Sequence, residues 1–148
     1  MILGRVSEVT EELYHALQRL IPQLGVHKIP PTLDELIALI KSESSILLIA
    51  RYPDEEGDVS GILTLTIYRV PTGLRSVVED LVVDEKVRGH GIAEALLRYA
   101  IDLAREAGAK GMSLTSNPQR VSANRLYQRL GFKKRETNAY FYELQSAV

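Results

Sequence analysis

The chain has 148 residues, 45% of them hydrophobic and 25% charged, the proportions of a globular domain large enough to bury a real core. Its formal net charge of −1 gives no bulk pull toward nucleic acid or an anionic membrane surface. Cysteine is absent, which excludes disulfides, thiolate metal sites and any acyl-enzyme built on a cysteine.

No repeat, low-complexity tract or linker interrupts the sequence, so one domain over 1–148 is expected. Residues 1–5 lack the basic stretch and apolar segment of a secretion signal. The longest apolar runs, such as residues 46–50, fall far short of the roughly 20 residues of a membrane span. Cytoplasmic residence is therefore the default expectation. His15, His27 and His90 are scattered and make no metal-ligand spacing.

In chain order, Val9, Leu13, Leu17, Leu20 and Ile21 recur at helical spacing, and Pro22 discourages continuation. After Pro30-Pro31, Thr32-Leu33-Asp34-Glu35 reads as a capping box for a second helix, with Leu33, Leu36, Ile37 and Ile40 as its apolar stripe. Residues 45–50 form a short apolar run, and Pro53-Asp54-Glu55-Glu56-Gly57-Asp58 is turn chemistry. Leu63, Leu65 and Ile67 alternate with Thr64 and Thr66, the period of a half-buried strand. Pro71-Thr72-Gly73 makes another turn before a strand over 76–83. Three strands joined by short turns predict an antiparallel meander.

The period then changes. Between residues 91 and 107, apolar positions fall at Ile92/Ala93, Leu96/Leu97, Ala100, Leu103/Ala104 and Ala107, a helix of about five turns that Gly108 ends. Met112-Ser113-Leu114-Thr115 reads as a short strand, and Asn117-Pro118 as a helix start with a side-chain cap and proline at its first position. Ala123, Leu126, Tyr127 and Leu130 line that helix, and Gly131 stops it. Strands over 132–134 and 139–144 are expected to close an α/β arrangement in one sheet, with Tyr140-Phe141-Tyr142 alternating between core and surface.

The chemistry concentrates where a strand meets the longest helix. Across Val83-Asp84-Glu85-Lys86-Val87-Arg88-Gly89-His90-Gly91-Ile92-Ala93, glycines permit unusual dihedrals and close backbone approach, so several N–H groups point at one anion. The helix N-terminus adds its positive dipole end, and Arg88 a bidentate fork. This is the composition of a phosphate site. A Walker loop is excluded because no Gly-Lys-Ser/Thr follows, and a dinucleotide fingerprint because Glu94 holds its third glycine position.

Arg88-Gly89-His90-Gly91-Ile92-Ala93 resembles the R-x-x-G-x-[GA] pyrophosphate loop of the GNAT acetyltransferases, with Arg88, Gly91 and Ala93 on the defining positions. Leu81-Val82-Val83 resembles the bulged fourth strand whose backbone pairs with pantetheine in that family. Ala123-Asn124-Arg125-Leu126-Tyr127-Gln128-Arg129-Leu130-Gly131-Phe132 resembles its A-x-x-L-Y-x-x-x-G-F segment. The two motif regions cover residues 79–132, on the expected elements and in the expected order. The resemblance implies an α/β fold: a mixed, mostly antiparallel sheet flanked by helices, with the fourth and fifth strands paired in parallel at the cofactor cleft. It implies acetyl-CoA as cosubstrate, without a metal, held by Leu81, Val82, Val83, Arg88, Gly89, His90, Gly91, Ile92 and Ala93. Many relatives place an asparagine against the pantetheine arm seven residues before the tyrosine. Arg120 holds that place here, and Asn124 is the nearby candidate contact.

The resemblance makes Tyr127 the general acid that protonates the departing CoA thiolate; its helical stripe alone makes it a core tyrosine. Glu79 lies on the strand feeding the loop, with Asp80 facing the opposite way by alternation. Each carboxylate is open to two readings, general base or structural acceptor, and Glu79 is the candidate base carried forward. Asp84 and Glu85 read as solvated turn residues. Without cysteine, direct attack by a neutral primary amine in a ternary complex is the economical scheme. The loop over 20–32 and the turns over 69–73 and 137–139 are expected to shape the acceptor site, with no charge bias that identifies the amine. A non-catalytic acyl-CoA-binding module of the same fold is the alternative. Homodimers are common in the family, and no residue here marks an interface.

Overall fold

Apolar alternation across the first half of the chain builds a five-stranded sheet in the computed structural model, which describes residues 1–145. Two compact units are formed, Met1–Leu114 and Thr115–Val148. In the first, β1 (Ile2–Arg5), β2 (Ser45–Tyr52), β3 (Asp58–Val70) and β4 (Gly73–Val83) are bonded in chain order, each antiparallel to the next. β5 (Met112–Ser113) joins β4 in parallel through Ser76↔Met112 and Val77↔Ser113. A parallel neighbour needs a crossover, and α3 (Ile92–Glu106) supplies it. The expected mixed sheet is therefore present, with one strand more than the meander read from the sequence. β1 escaped that reading because its four residues, Ile-Leu-Gly-Arg, are too few to establish a period.

α1 (Glu11–Leu20) begins at Thr10, whose Oγ1 accepts from the Leu13 amide at 3.1 Å, and Pro22 converts its end into a 3₁₀ turn over Ile21–Leu24. α2 (Leu33–Lys41) has the capping box expected: Thr32 Oγ1 accepts from the Glu35 amide at 3.2 Å, and Glu35 Oε1 accepts from the Thr32 amide at 3.0 Å. Leu13, Leu17, Leu20 and Leu36 from these helices meet Leu47, Ile62 and Val82 of the sheet in one apolar core. Gly61, one position from Ile62 and so pointing to the other face, receives α3. A Cβ at Gly61 would lie 2.8 Å from Ile92 Cγ2 and 3.1 Å from Leu96 Cδ1, so only hydrogen admits the first turns of α3 this close to the sheet.

In the second unit, α4 (Val121–Leu130) starts later than expected. Asn117 Oδ1 accepts from the Gln119 amide at 2.9 Å and the Asn117 carbonyl from the Arg120 amide at 3.0 Å, so Asn117-Pro118 makes a turn and not a helix start. Gly131, at φ +104°, ends the helix as read. Residues 132–134 and 139–144, expected as strands, are not strands. Tyr140, Phe141, Tyr142 and Leu144 are 90%, 91%, 85% and 82% exposed, so the aromatic run has no core-facing half. Its composition favours β structure, but a strand exists only through a neighbour that completes its ladder.

Candidate active site

β4 is irregular where it matters. Between Ile62↔Val82 and Thr64↔Glu79 the register shifts, so that Leu63 faces both Asp80 and Leu81. Asp80 absorbs the extra residue at φ +48°, a left-handed conformation rare outside glycine and asparagine-like residues. The bulge interrupts the regular alternation at Glu79 and Asp80, and both residues are exposed. Leu81 and Val82 are buried and Val83 is half-buried. Pairing to β5 ends at Val77, whereas pairing to β3 continues to Val83. The outer edge of β4 over residues 78–83 is thus a strip of backbone donors and acceptors without a strand partner.

That strip runs into the glycine loop. A 3₁₀ turn over Glu85–Val87 leads to Arg88, then to Gly89 at φ +84° and Gly91 at φ +76°. An added Cβ would meet nothing within 4 Å at either glycine, so dihedral angle and not crowding selects the residue. Gly91 precedes α3 without any side-chain cap, which leaves the positive end of the helix dipole to an external anion. Arg88 is exposed, and its Nε donates to the Val83 carbonyl at 3.1 Å. His90 is exposed as expected of its variable position; its Nδ1 lies 2.9 Å from the Val87 oxygen and its ring 4.9 Å from that of Tyr52. Ile92, 2% exposed, anchors the helix start in the core, and Ala93 is half-buried. A pyrophosphate fits these residues: an uncapped helix end, an unencumbered glycine turn and an arginine held beside them.

Asp84 departs from its reading as a solvated residue. It is 7% exposed, and it bonds the Lys86 amide through Oδ1 at 3.1 Å and Arg19 Nε through Oδ2 at 3.3 Å. Burial pushes its carboxyl up, but the Lys86 amide, Arg19 and Gln23 together hold it below the usual aspartate value. Only the Asp84-x-Lys86 spacing of a short cap was visible locally; the arginine partner lies 65 residues away in sequence. Glu85 is exposed, as read.

Asn124 and Tyr127 belong to the second unit, three positions apart on α4. Tyr127 is buried, and its ring meets Phe132 edge-on at 6.0 Å. The Phe132 amide donates to the Tyr127 carbonyl at 2.9 Å, so the Gly131-Phe132 stop fixes the turn that carries the tyrosine. Burial pushes the Tyr127 phenol up, with the charge of Arg120 acting against it. The Asn124 amide group donates to the carbonyls of Asn117 at 3.0 Å and Arg120 at 2.8 Å, bracing the turn ahead of the helix.

The family model described as acetyltransferase (GNAT) family matches residues 10–132. The chain belongs to the GNAT family of acetyltransferases. Similar curated members include N-acetyltransferase family 8 member 2 of Rattus norvegicus, 36% identical over 60% of this chain and 39% of that one. Another is the aminoalkylphosphonate N-acetyltransferase of Salmonella typhimurium, 40% identical over 38% of this chain and 37% of that one. The chain spans less than half the length of the curated relatives it matches. Among solved GNAT-like structures, an aminoglycoside acetyltransferase from a soil metagenomic sample has a TM-score of 0.82 at 18% identity, over 98% of this chain and 96% of that one. A Trypanosoma brucei acetyltransferase has a TM-score of 0.72 at 21% identity, over 96% and 100%. These likenesses are of fold. Among the described residues, no helix is long and apolar enough to cross a membrane.

Proposed function

We propose that this GNAT protein moves the acetyl group of acetyl-CoA to a primary amine, with residues 1–148 acting as one domain. The observation that carries the reading is the continuity of the unpaired β4 edge with the uncapped, glycine-turned start of α3. One strip suits an amide-bearing arm, and the loop at its end suits a pyrophosphate. The names of the curated relatives, N-acetyltransferases throughout the two quoted, support nitrogen as the acceptor atom.

When bound, acetyl-CoA supplies an activated acetyl thioester. The backbone of Leu81, Val82 and Val83 holds its arm, and an amide of that strip stabilises negative charge developing on the acetyl oxygen. Arg88 and the backbone of Gly89, His90, Gly91, Ile92 and Ala93 hold the pyrophosphate, with Asn124 as a further contact to the cofactor. Glu79, exposed on the strand beside the strip, takes the proton that an ammonium must lose before it attacks, directly or through water. Tyr127 gives its proton to the departing sulfur, a role supported by its place in the segment over 123–132 that resembles the family's. With no cysteine in the chain, direct transfer in a ternary complex is the economical route. Cytoplasmic residence belongs to the same reading, and cell fractionation tests it.

Calorimetry and thermal shift with CoA test the site. CoA and dephospho-CoA are both expected to bind and raise the Tm, because the loop is aimed at the pyrophosphate. Gly91→Glu, which puts an anion where the phosphate belongs, is expected to abolish that binding in a folded protein. No binding by the wild type sinks the reading. CoA binding without turnover across a panel of primary amines leaves a non-catalytic acyl-CoA module in its place.

A further inference from the structure

A cluster of polar contacts between β4 and the glycine turn is left over by the proposed chemistry. The Asp84 amide donates to the Ser60 carbonyl at 2.7 Å, tying the start of the turn to β3. Its carboxylate bonds the Lys86 amide on one oxygen and Arg19 of α1 on the other. Arg19 reaches further, its Nη2 donating to the Val59 carbonyl at 2.6 Å. Gln23 Oε1, in the 3₁₀ turn after α1, accepts from the Glu85 amide at 2.9 Å. Residues 84–86 are thus gripped by β3 on one side and by α1 and its following turn on another.

A buried carboxylate is a poor way to fill space. Desolvating it costs free energy that is offset here only because the Lys86 amide, Arg19 and Gln23 all act on it, and apolar residues would cover the same gap with no partner to position. What the cluster does supply is a fixed geometry. The gripped segment ends at Val87, whose amide bonds the Asp84 carbonyl at 3.0 Å, and Arg88 and the left-handed glycines follow at once.

We propose that Arg19 and Asp84 are positioning residues for the anion loop, presetting Arg88 and the first amides of α3 to receive the CoA pyrophosphate. A loop already ordered binds without the entropy cost of ordering, which is how residues distant from a ligand raise its affinity. The inference rests on residues 88–93 being the pyrophosphate site.

The test is a double-mutant cycle read in CoA affinity. CoA is titrated calorimetrically into the wild type, Arg19→Met, Asp84→Asn, the double variant and Gly91→Glu, each well below its own Tm. Each single variant is expected to bind about tenfold more weakly with its fold intact, and the double variant scarcely more weakly than the singles, because both remove one brace. A purely structural pair lowers Tm and leaves the Kd alone. If the wild type binds CoA, Gly91→Glu does not, and folded Arg19→Met keeps its affinity within twofold, the inference falls while the site stands. An Arg19→Met protein that does not fold also overturns it, since the pair is then a general stability element. A wild type that fails to bind CoA removes the site itself.

Discussion

Tyr127 joins two demands in one side chain. Its ring packs on Phe132, as a core residue's does, while its phenol stays protonated, as an acid's must. A phenol is neutral through the physiological range at its ordinary value near 10, and burial pushes Tyr127 further up, so its proton is lost only in alkali. Tyr127→Phe keeps the ring and deletes the hydroxyl. Steady-state kinetics is expected to show kcat falling on the order of 10²-fold with CoA affinity unchanged, and the loss shrinking for acyl donors whose thiol has a low pKa. A fall below about threefold in a folded variant returns Tyr127 to the core. At this scale the left-handed turn of the glycine loop was legible, since Gly89 and Gly91 announce the dihedral angles they adopt. Asp80 and Asp84 were not. One owes its left-handed backbone to a bulge that depends on the neighbouring strand, and the other, when buried, is paired by an arginine far away in sequence.

Among the elements, two that carry their own start signals were read correctly. The Thr32 capping box and the helix after Gly91 needed only local information, and the structure places both as read. Asn117-Pro118 offered the same signal and yielded a turn, because the Asn117 side chain and carbonyl served the next residues before a helix could begin. The strands expected over 132–134 and 139–144 failed for a different reason, since no local pattern guarantees a ladder partner. Seating of α3 on the sheet is the element-scale feature most open to test. Gly61→Val adds atoms within about 3 Å of Ile92 and Leu96, and flexible side-chain ends can yield only in part. The expected outcome is a loss of about 1–3 kcal/mol in chemical denaturation, together with weaker CoA binding as the first turn of α3 lifts from the sheet. Undiminished CoA affinity in that variant would show that the helix start is not set by its contact with Gly61.

Over the whole molecule, the meander was legible from periodicity, whereas the parallel place of the fifth strand was implied by the family resemblance. Strand signals joined by short turns made the meander, and α3 is the crossover that lets β5 return parallel to β4. The acid response of the fold should in turn reflect Asp84. Its folded pKa lies below its unfolded value near 3.8, so the ionised carboxylate stabilises above that value, and the contribution is lost as pH falls through the folded pKa. Asp84→Asn is therefore expected to lower stability at neutral pH by about 1–3 kcal/mol and to show a shallower decline in Tm below roughly pH 4 than the wild type. Parallel acid limbs in the two proteins would mean that other carboxylates govern acid unfolding.

The half-paired state of β4 has a consequence for hydrogen exchange. Amides along an antiparallel strand point alternately to its two edges, and beyond Val77 only one of those edges is bonded to a neighbouring strand. In heavy water, slow and fast amides should alternate from residue 78 to 83, with the phase slipping by one at the Asp80 bulge. The fast set is the one a bound pantetheine arm would slow. A strand of the folded core thus carries a native-state exchange signature of its unpaired edge, readable residue by residue, against which the proposed cofactor contact can be tested.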